Sequence, residues 1–306
     1  MRILITGGAG FIGSYTAELL LKRGHEVVVV DNMITGRHKN LENILGNIKL
    51  VEGDILDDDV VSSAIRGVDV VIHAASLTNV PESAKKADLY RMINSTGTHI
   101  MLQHSFSNGV KKFVFISTCA VYGDPLKVPI AEDAPTLPLS VYAETKLDAE
   151  GECEKYSNER GMVVAILRLF NVYGPRQTLN QYSGVITQFM DRVHKAKVPI
   201  IFGDGEQTRD FVFVEDAAKA IVAAAENKAM GTFNVGTGKA TSIKELAETM
   251  IRLTGMNNLI PAFEKPREND VTRSVADIEQ MRKAFGFVPE TPLEEGLRRT
   301  LGELGI

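Results

Sequence analysis

A doubly wound α/β fold, a parallel sheet with helices on both faces, is what this 306-residue sequence predicts, on three observations. Apolar, β-branched runs alternate with helical periods through the first half of the chain. The first run, Ile3-Leu4-Ile5, passes straight into the glycine cluster Thr6-Gly7-Gly8-Ala9-Gly10-Phe11-Ile12-Gly13-Ser14. The second, Val27-Val28-Val29-Val30, stops at the carboxylate Asp31. Strands covered on both faces read as unbroken apolar runs, so the pattern points to a parallel sheet rather than to an antiparallel one with a wet face.

In chain order, strands are predicted at 2–6, 26–31, 48–53, 68–73, 112–118 and 163–169, and helices near 11–24, 57–66, 88–108 and 142–160. Right-handed crossovers between such strands leave ligands at their carboxyl ends. After Asn171 the texture changes. Glycine, proline and polar residues become frequent (Gly174-Pro175-Arg176-Gln177, Val198-Pro199, Gly203-Asp204-Gly205), and short strands alternate with isolated helices. Ser242-Ile243-Lys244-Glu245 is a capping box opening a helix that Gly255 stops, and Thr291-Pro292-Leu293-Glu294 repeats the device with Pro292 as the first helical residue. The expected division is a first domain over 1–170, with segments near 211–235 returning to it, and a smaller mixed α/β substrate-binding domain over 171–210 and 236–306.

The glycine cluster has the context that gives it meaning, a strand before it and the amphipathic segment Tyr15 to Arg23 after it. Gly7 permits the tight turn, Gly10 lets backbone approach a pyrophosphate, and Gly13 lets helix pack on strand. The phosphates of a dinucleotide then lie on unpaired N–H groups at the helix N-terminus. This is the Rossmann arrangement. Asp31 follows Gly13 by eighteen residues, at the end of the next strand. An acid there accepts from the adenosine ribose hydroxyls and repels a 2′-phosphate, so the expected cofactor is NAD rather than NADP. Arg37, six residues on, is a cation that could in principle soften this preference.

Composition narrows the partners. The chain is 44% hydrophobic and 24% charged, with net charge −5 and no basic block longer than Lys111-Lys112 or Lys85-Lys86, which argues against nucleic acid. No apolar run approaches the roughly 20 residues that span a bilayer. The first strand begins too early to leave room for a signal peptide, and Cys119 and Cys153 are two cysteines in a chain large enough to need no staples. A cytoplasmic protein is expected. The six histidines are scattered and no Cys/His cluster has ligand spacing, so no metal is indicated.

The chemistry is carried by Tyr142-Ala143-Glu144-Thr145-Lys146, which puts a phenol and an ammonium one helical turn apart on one face. A nearby ammonium favours the phenolate and lowers the phenol from its usual ~10 toward neutrality, making Tyr142 a usable general base. Lys146 is also placed to hydrogen-bond the nicotinamide ribose. Tyr-x-x-x-Lys alone is common on helix surfaces. Here it follows a dinucleotide fingerprint and lies 24 residues after Ser117-Thr118, which ends the strand Phe113-Val114-Phe115-Ile116 and presents a hydroxyl at the ligand edge.

These elements make the chain resemble the extended short-chain dehydrogenase/reductases that act on nucleotide sugars, most closely the UDP-hexose 4-epimerases. The resemblance runs almost end to end. Its carriers are the glycine cluster, Asp31-Asn32, Asp54-Ile55, His73-Ala74-Ala75, Asn94-Ser95-Thr96-Gly97, Ser117 to Gly123 and Tyr142 to Lys146. Beyond them come Leu167 to Pro175, Gly203-Asp204-Gly205, Arg209 to Val212 and Pro266-Arg267-Glu268-Asn269-Asp270. The resemblance implies Asp54 and Ile55 at the adenine, Ala74 and Ala75 beside the cofactor, and further cofactor contacts from Phe11, Ile12, Asn32, Thr35, Gly36 and Asn94. It implies that Asn171, Arg209 and Arg267 hold the substrate diphosphate, which suits the match of an arginine fork to phosphate oxygens. Asp270 is expected to bond a nucleoside ribose or to orient Arg267. Helical stretches near 88–108 and 142–160 resemble the pair that makes a four-helix homodimer interface.

Relatives open with one step, proton removal from the sugar 4-OH and hydride transfer from C4. A 4,6-dehydratase adds an Asp-Glu pair directly after the threonine, and a glucuronate decarboxylase a Glu; this chain has Cys119 and Ala120. Without the second acid the keto sugar takes hydride back on its other face. The expected activity is therefore C4 epimerisation of a UDP-hexose, with Tyr142 as base and then acid, Thr118 supported by Ser117 orienting the 4-OH, and Lys146 tuning Tyr142. The alternatives are a dehydratase, a UDP-glucuronate epimerase or decarboxylase, and, from another class, a non-catalytic dinucleotide-binding regulator. In the epimerases a residue shortly after the Pro-Arg…Asp motif gates the space around the sugar 2-substituent. Here it is the small Ser274, which implies that UDP-N-acetylhexosamines are accepted.

Overall fold

The computed structural model describes residues 1–177, 184–256, 258–267, 270–303 and 305. Six strands, β1 (Arg2–Thr6), β2 (Glu26–Asp31), β3 (Ile48–Glu52), β4 (Val70–His73), β5 (Lys112–Thr118) and β6 (Val163–Leu169), form where the apolar runs lie. With β11 (Gly231–Val235) they make one seven-stranded parallel sheet in the order β11-β6-β5-β4-β1-β2-β3. The order reverses between β1 and β4, which opens a crevice at their carboxyl ends.

Alternation along each strand divides the core. Ile3 and Ile5 point to the face covered by α1 (Phe11–Lys22) and α8 (Val214–Glu226), among Ala17, Leu20, Ala220 and Ile221. Leu4, Val28 and Val30 point to the other face, covered by α2 (Asp58–Ala64), α5 (Gly97–Ser107) and α6 (Val141–Arg160), among Val61, Met101, Leu102 and Ala149. The predicted helix near 88–108 is divided. Short α4 (Ala87–Tyr90) passes through a π-helical turn, Arg91–Thr96, before α5.

The second lobe packs α7 (Val185–His194), α9 (Ile243–Leu253) and α11 (Leu293–Glu303) around Phe189, Met190, Ile201, Leu246, Met250 and Leu297. Its strands are short pairs. β7 (Asn171–Tyr173) runs beside β10 (Phe211–Phe213), β8 (Ile200–Phe202) beside β13 (Ala262–Glu264), and β9 (Thr208–Arg209) lies between β12 (Thr241–Ser242) and β14 (Arg273–Ser274). Ser242 caps α9 as the capping box predicts, its oxygen taking the Glu245 N–H at 3.0 Å. Pro292 stands just before α11, and its carbonyl accepts the Gly296 N–H at 3.0 Å.

Two segments depart from the expected division. Residues 211–213 pair with β7 instead of joining the main sheet. α10 (Glu279–Phe285), expected in the second lobe, packs on α8 and β11, and its fully buried Met281 shares a core with Ile3 and Ile5. The cause is local: β11 is the edge strand, and an apolar helix face covers it.

Candidate active site

β1 ends at Thr6, and Gly7 turns the chain with φ +70°. A Cβ on Gly7 would meet the Ala75 nitrogen at 2.8 Å, and one on Gly13 would enter the Gly7 carbonyl, so helix and strand approach as closely as glycine allows. The N-cap of α1, Gly10, makes no side-chain cap bond, and the first turn carries no acid. Its free N–H groups and the positive end of the helix dipole therefore face a cavity of about 760 Å³, as a diphosphate requires.

Asp31 is buried beside this turn. Its Oδ2 accepts the Ala9 N–H and its Oδ1 the Met33 N–H, both at 2.9 Å. Burial pushes its carboxyl up, against those two bonds. Lone pairs remain for ribose hydroxyls, and a Cβ at Gly36 would come within 2.5 Å of Oδ1. Asn32 Nδ2 donates to Asp54 Oδ2 at 2.8 Å. Gly7, Gly10, Phe11, Ile12, Gly13, Asp31, Asn32, Thr35, Gly36, Asp54, Ile55, Ala74 and Ala75 all line the cavity.

His73 fastens the crevice. It is 1% exposed, and burial pushes its imidazole down to about 3, so it is neutral. Thr98 donates to the Asn94 carbonyl at 2.6 Å, which leaves its oxygen to accept from His73 Nε2 at 3.1 Å. The bond-consistent tautomer thus carries its proton on Nε2, with Nδ1 accepting from the Thr6 hydroxyl at 2.7 Å. The ends of β1 and β4 are locked to α5 by one ring.

The catalytic candidates lie on the same cavity's wall: Ser117 and Thr118 at the end of β5, Tyr142 and Lys146 on the first turns of α6. α6 starts there because the Ser140 oxygen takes the Ala143 N–H at 3.2 Å, and it stops at left-handed Gly161. The Thr118 oxygen accepts the Ala120 N–H at 3.2 Å, and its side chain hydrogen-bonds the Tyr142 phenol. That bond holds the phenol down, but burial outweighs it, and Tyr142 is pushed up to about 12. The expected lowering by Lys146 is absent. Lys146, 2% exposed, is itself pushed down to about 8 by burial, and its Nζ lies 4.2 Å from the centre of the Phe115 ring.

Ser117 is committed elsewhere. Its hydroxyl donates to Glu150, which forms a buried ion pair with Arg168, Nη2 to Oε2 at 2.7 Å. Arg168 also donates to the Tyr122 hydroxyl at 2.9 Å and the Glu132 carbonyl at 3.0 Å. Ser117 therefore braces the strand end instead of offering a second hydroxyl.

The residues expected on the substrate side lie mostly on and around the short strand pairs of the second lobe. Asn171 Nδ2 donates to the Asp210 carbonyl at 3.1 Å. Arg209 Nη2 meets Asp270 Oδ1 at 2.6 Å, so Asp270 orients Arg209 and not Arg267. Arg267 lies 4.1 Å from the centre of the Phe202 ring. Ser274 pairs with Arg209 across β14 and β9, and its hydroxyl approaches Cys119 Sγ at 3.9 Å. Buried Asp210 ties this region together, accepting from Thr237, Gly238 and Ala276 backbone N–H groups.

Residues 3–236 match the model of the NAD dependent epimerase/dehydratase family. The chain is 36% identical to the UDP-glucose 4-epimerase of Mycolicibacterium smegmatis, over 98% of this chain and 97% of that one. It is also 36% identical to a UDP-N-acetyl-alpha-D-glucosaminuronate decarboxylase of Bacillus cytotoxicus, over 98% and 96%. Its structure superposes on UDP-glucose 4-epimerase with UDP-glucose from Thermotoga maritima with a TM-score of 0.94 at 35% identity, covering 100% of this chain and 99% of the other. The chain belongs to the NAD-dependent epimerase/dehydratase family. Its cofactor is NAD.

One expected cofactor contact of this epimerase/dehydratase chain is displaced. Asn94 stands behind the cavity wall, 1% exposed, in the π-helical turn. Its amide is spent on the Leu77 backbone, accepting at 2.8 Å and donating at 3.0 Å, and on Thr145 Oγ1 at 3.0 Å. Sequence reasoning also missed the wall that Asn94 holds, residues 76–79 and α3 (Val80–Lys85), with Glu82 facing the cavity. A signal for α3 was present: Asn79 is an N-cap, taking the Glu82 N–H at 3.0 Å, with Pro81 in the first turn.

Proposed function

We propose that this protein interconverts UDP-galactose and UDP-glucose by epimerisation at C4 through a transient 4-keto sugar. The observation that carries the reading is the pairing of Thr118 with Tyr142 on the NAD cavity, followed by Cys119-Ala120 where a dehydratase needs carboxylates. Burial pushes the Cys119 thiol up to about 11, so it does not replace a carboxylate. Bound NAD supplies the hydride acceptor and, on return, the donor. Tyr142 takes the 4-OH proton and gives it back, with Thr118 orienting that hydroxyl and Lys146 gripping the ribose; the positive charge of bound oxidised NAD would favour the phenolate against the burial that raises it. Asn171, Arg209 and Arg267 hold the diphosphate, and the Asp270 carboxylate aims the Arg209 fork.

Small Ser274, beside Cys119, leaves room for an N-acetyl group, so UDP-N-acetylgalactosamine is a second substrate in this reading. Among the described residues no helix is long and apolar enough to cross a membrane. The reading includes a cytoplasmic homodimer that binds no nucleic acid, paired through the helical stretch where Leu89, Met92 and Phe106 are exposed.

The test is chromatography with mass spectrometry on purified protein given UDP-galactose without added cofactor. Isobaric UDP-glucose is expected, and UDP-N-acetylgalactosamine should give its isobaric epimer. A product of lower mass would instead support dehydration or, from an acidic sugar, decarboxylation.

A further inference from the structure

We propose that Ser83, which sits on α3 and not on the catalytic helix, is the positioning residue for Tyr142. A helix leaves its first N–H groups without intrahelical acceptors. In α6 the Ser140 oxygen serves Ala143, and the Tyr142 N–H is served from outside, by Ser83 Oγ at 3.1 Å. The Ser83 proton goes to the Val80 carbonyl at 2.7 Å, so the hydroxyl is fixed in direction as well as in place. Ser83 is fully buried.

The tether is held at its far end too. α3 is capped by Asn79, whose carbonyl accepts the Tyr90 hydroxyl at 2.8 Å. Thus the phenol is located from two sides. β5 sets the Thr118 oxygen, and α3, through Ser83, sets the backbone from which the Tyr142 ring projects. Without the Ser83 hydroxyl the first turn of α6 loses the side-chain acceptor of its Tyr142 N–H and is free to shift relative to Thr118. A displacement near ~1 Å is enough to slow a positioned proton transfer by one to two orders of magnitude. The phosphate cradle at the start of α1 and the diphosphate residues of the second lobe, which rest on other elements, are untouched.

The proposal rests on Tyr142 being the base, so four proteins are compared: wild type, Ser83→Ala, Ser83→Thr and Tyr142→Phe. Turnover of UDP-galactose is measured per folded, NAD-loaded molecule, with KM and unfolding midpoint recorded for each. Ser83→Ala should lower kcat about tenfold or more, leave KM within about twofold, and retain NAD. Ser83→Thr, which keeps the hydroxyl, should recover most of the loss. A merely structural serine would lower the unfolding midpoint and leave turnover per loaded molecule unchanged. Full turnover in Ser83→Ala beside an inactive Tyr142→Phe overturns the positioning role, as does a Ser83→Thr protein as slow as Ser83→Ala. Full turnover in Tyr142→Phe sinks the base assignment itself. Should Ser83→Ala fail to fold, Ser83→Cys serves instead, since a thiol is a poor acceptor.

Discussion

At the scale of single residues, burial decides where protons sit around this cavity. Lys146 and Tyr142 move in opposite directions because desolvation penalises the ammonium in one and the phenolate in the other. His73 has the clearest consequence. Its imidazole is held at about 3 in the fold against an ordinary 6.5. Between those values the unfolded chain binds a proton that the native one refuses. Its contribution to stability is therefore complete above about pH 6.5 and is lost as pH falls toward 3, at about 1 kcal/mol per pH unit. Urea unfolding at pH 7.5, 6 and 5 should show a steeper acid loss for wild type than for His73→Asn; equal slopes would exclude His73 as the group. Which residues were legible follows the same line. Thr118, Tyr142 and Lys146 are set by spacing within one strand end and one helix. The bonds of Asn94 and Asp270 were not legible because their partners, Leu77 and Arg209, are brought up by chain segments whose approach no spacing encodes.

At the scale of elements, α6 combines two tasks on one face. Tyr142 and Lys146 serve the cavity, and Glu150, one turn further, anchors the helix to β6 through Arg168 and to β5 through Ser117. Glu150 and Arg168 are both nearly inaccessible, 2% and 6% by side chain. Removing one charge leaves the other buried and uncompensated, which typically costs about 3–5 kcal/mol. Glu150→Gln should show a loss of this size in denaturant titration; less than about 1 kcal/mol would mean that the pair is not the anchor. The six strand runs and α6 were legible because apolar periodicity and caps are local signals. The two- and three-residue strands of the second lobe were not, being too short for any period and fixed by pairing with segments up to 65 residues apart, as in β14 with β9. The π-helical turn was hidden for a related reason: Arg91–Thr96 holds Asn94, whose bonds to Leu77 and Thr145 are tertiary.

At the scale of the whole molecule, the two lobes interleave. Strand β11 comes after most of the second lobe's first segments, yet it closes the edge of β6, and α10 then covers it with Met281. Asp210 likewise waits for Thr237, Gly238 and Ala276 before its buried carboxylate has its donors. During synthesis this order has a price. Residues 163–169 leave the ribosome more than sixty residues before their partner at 231–235, a delay on the order of several seconds. Throughout that interval β6 presents an open, apolar strand edge, a template for another nascent chain. A chain halted at residue 230 should accordingly collect in aggregates, while release of the intact chain restores solubility; a soluble, monomeric fragment would show that the edge is shielded. The far edge of the sheet is thus the surface that a holding chaperone would have to cover until β11 has been made.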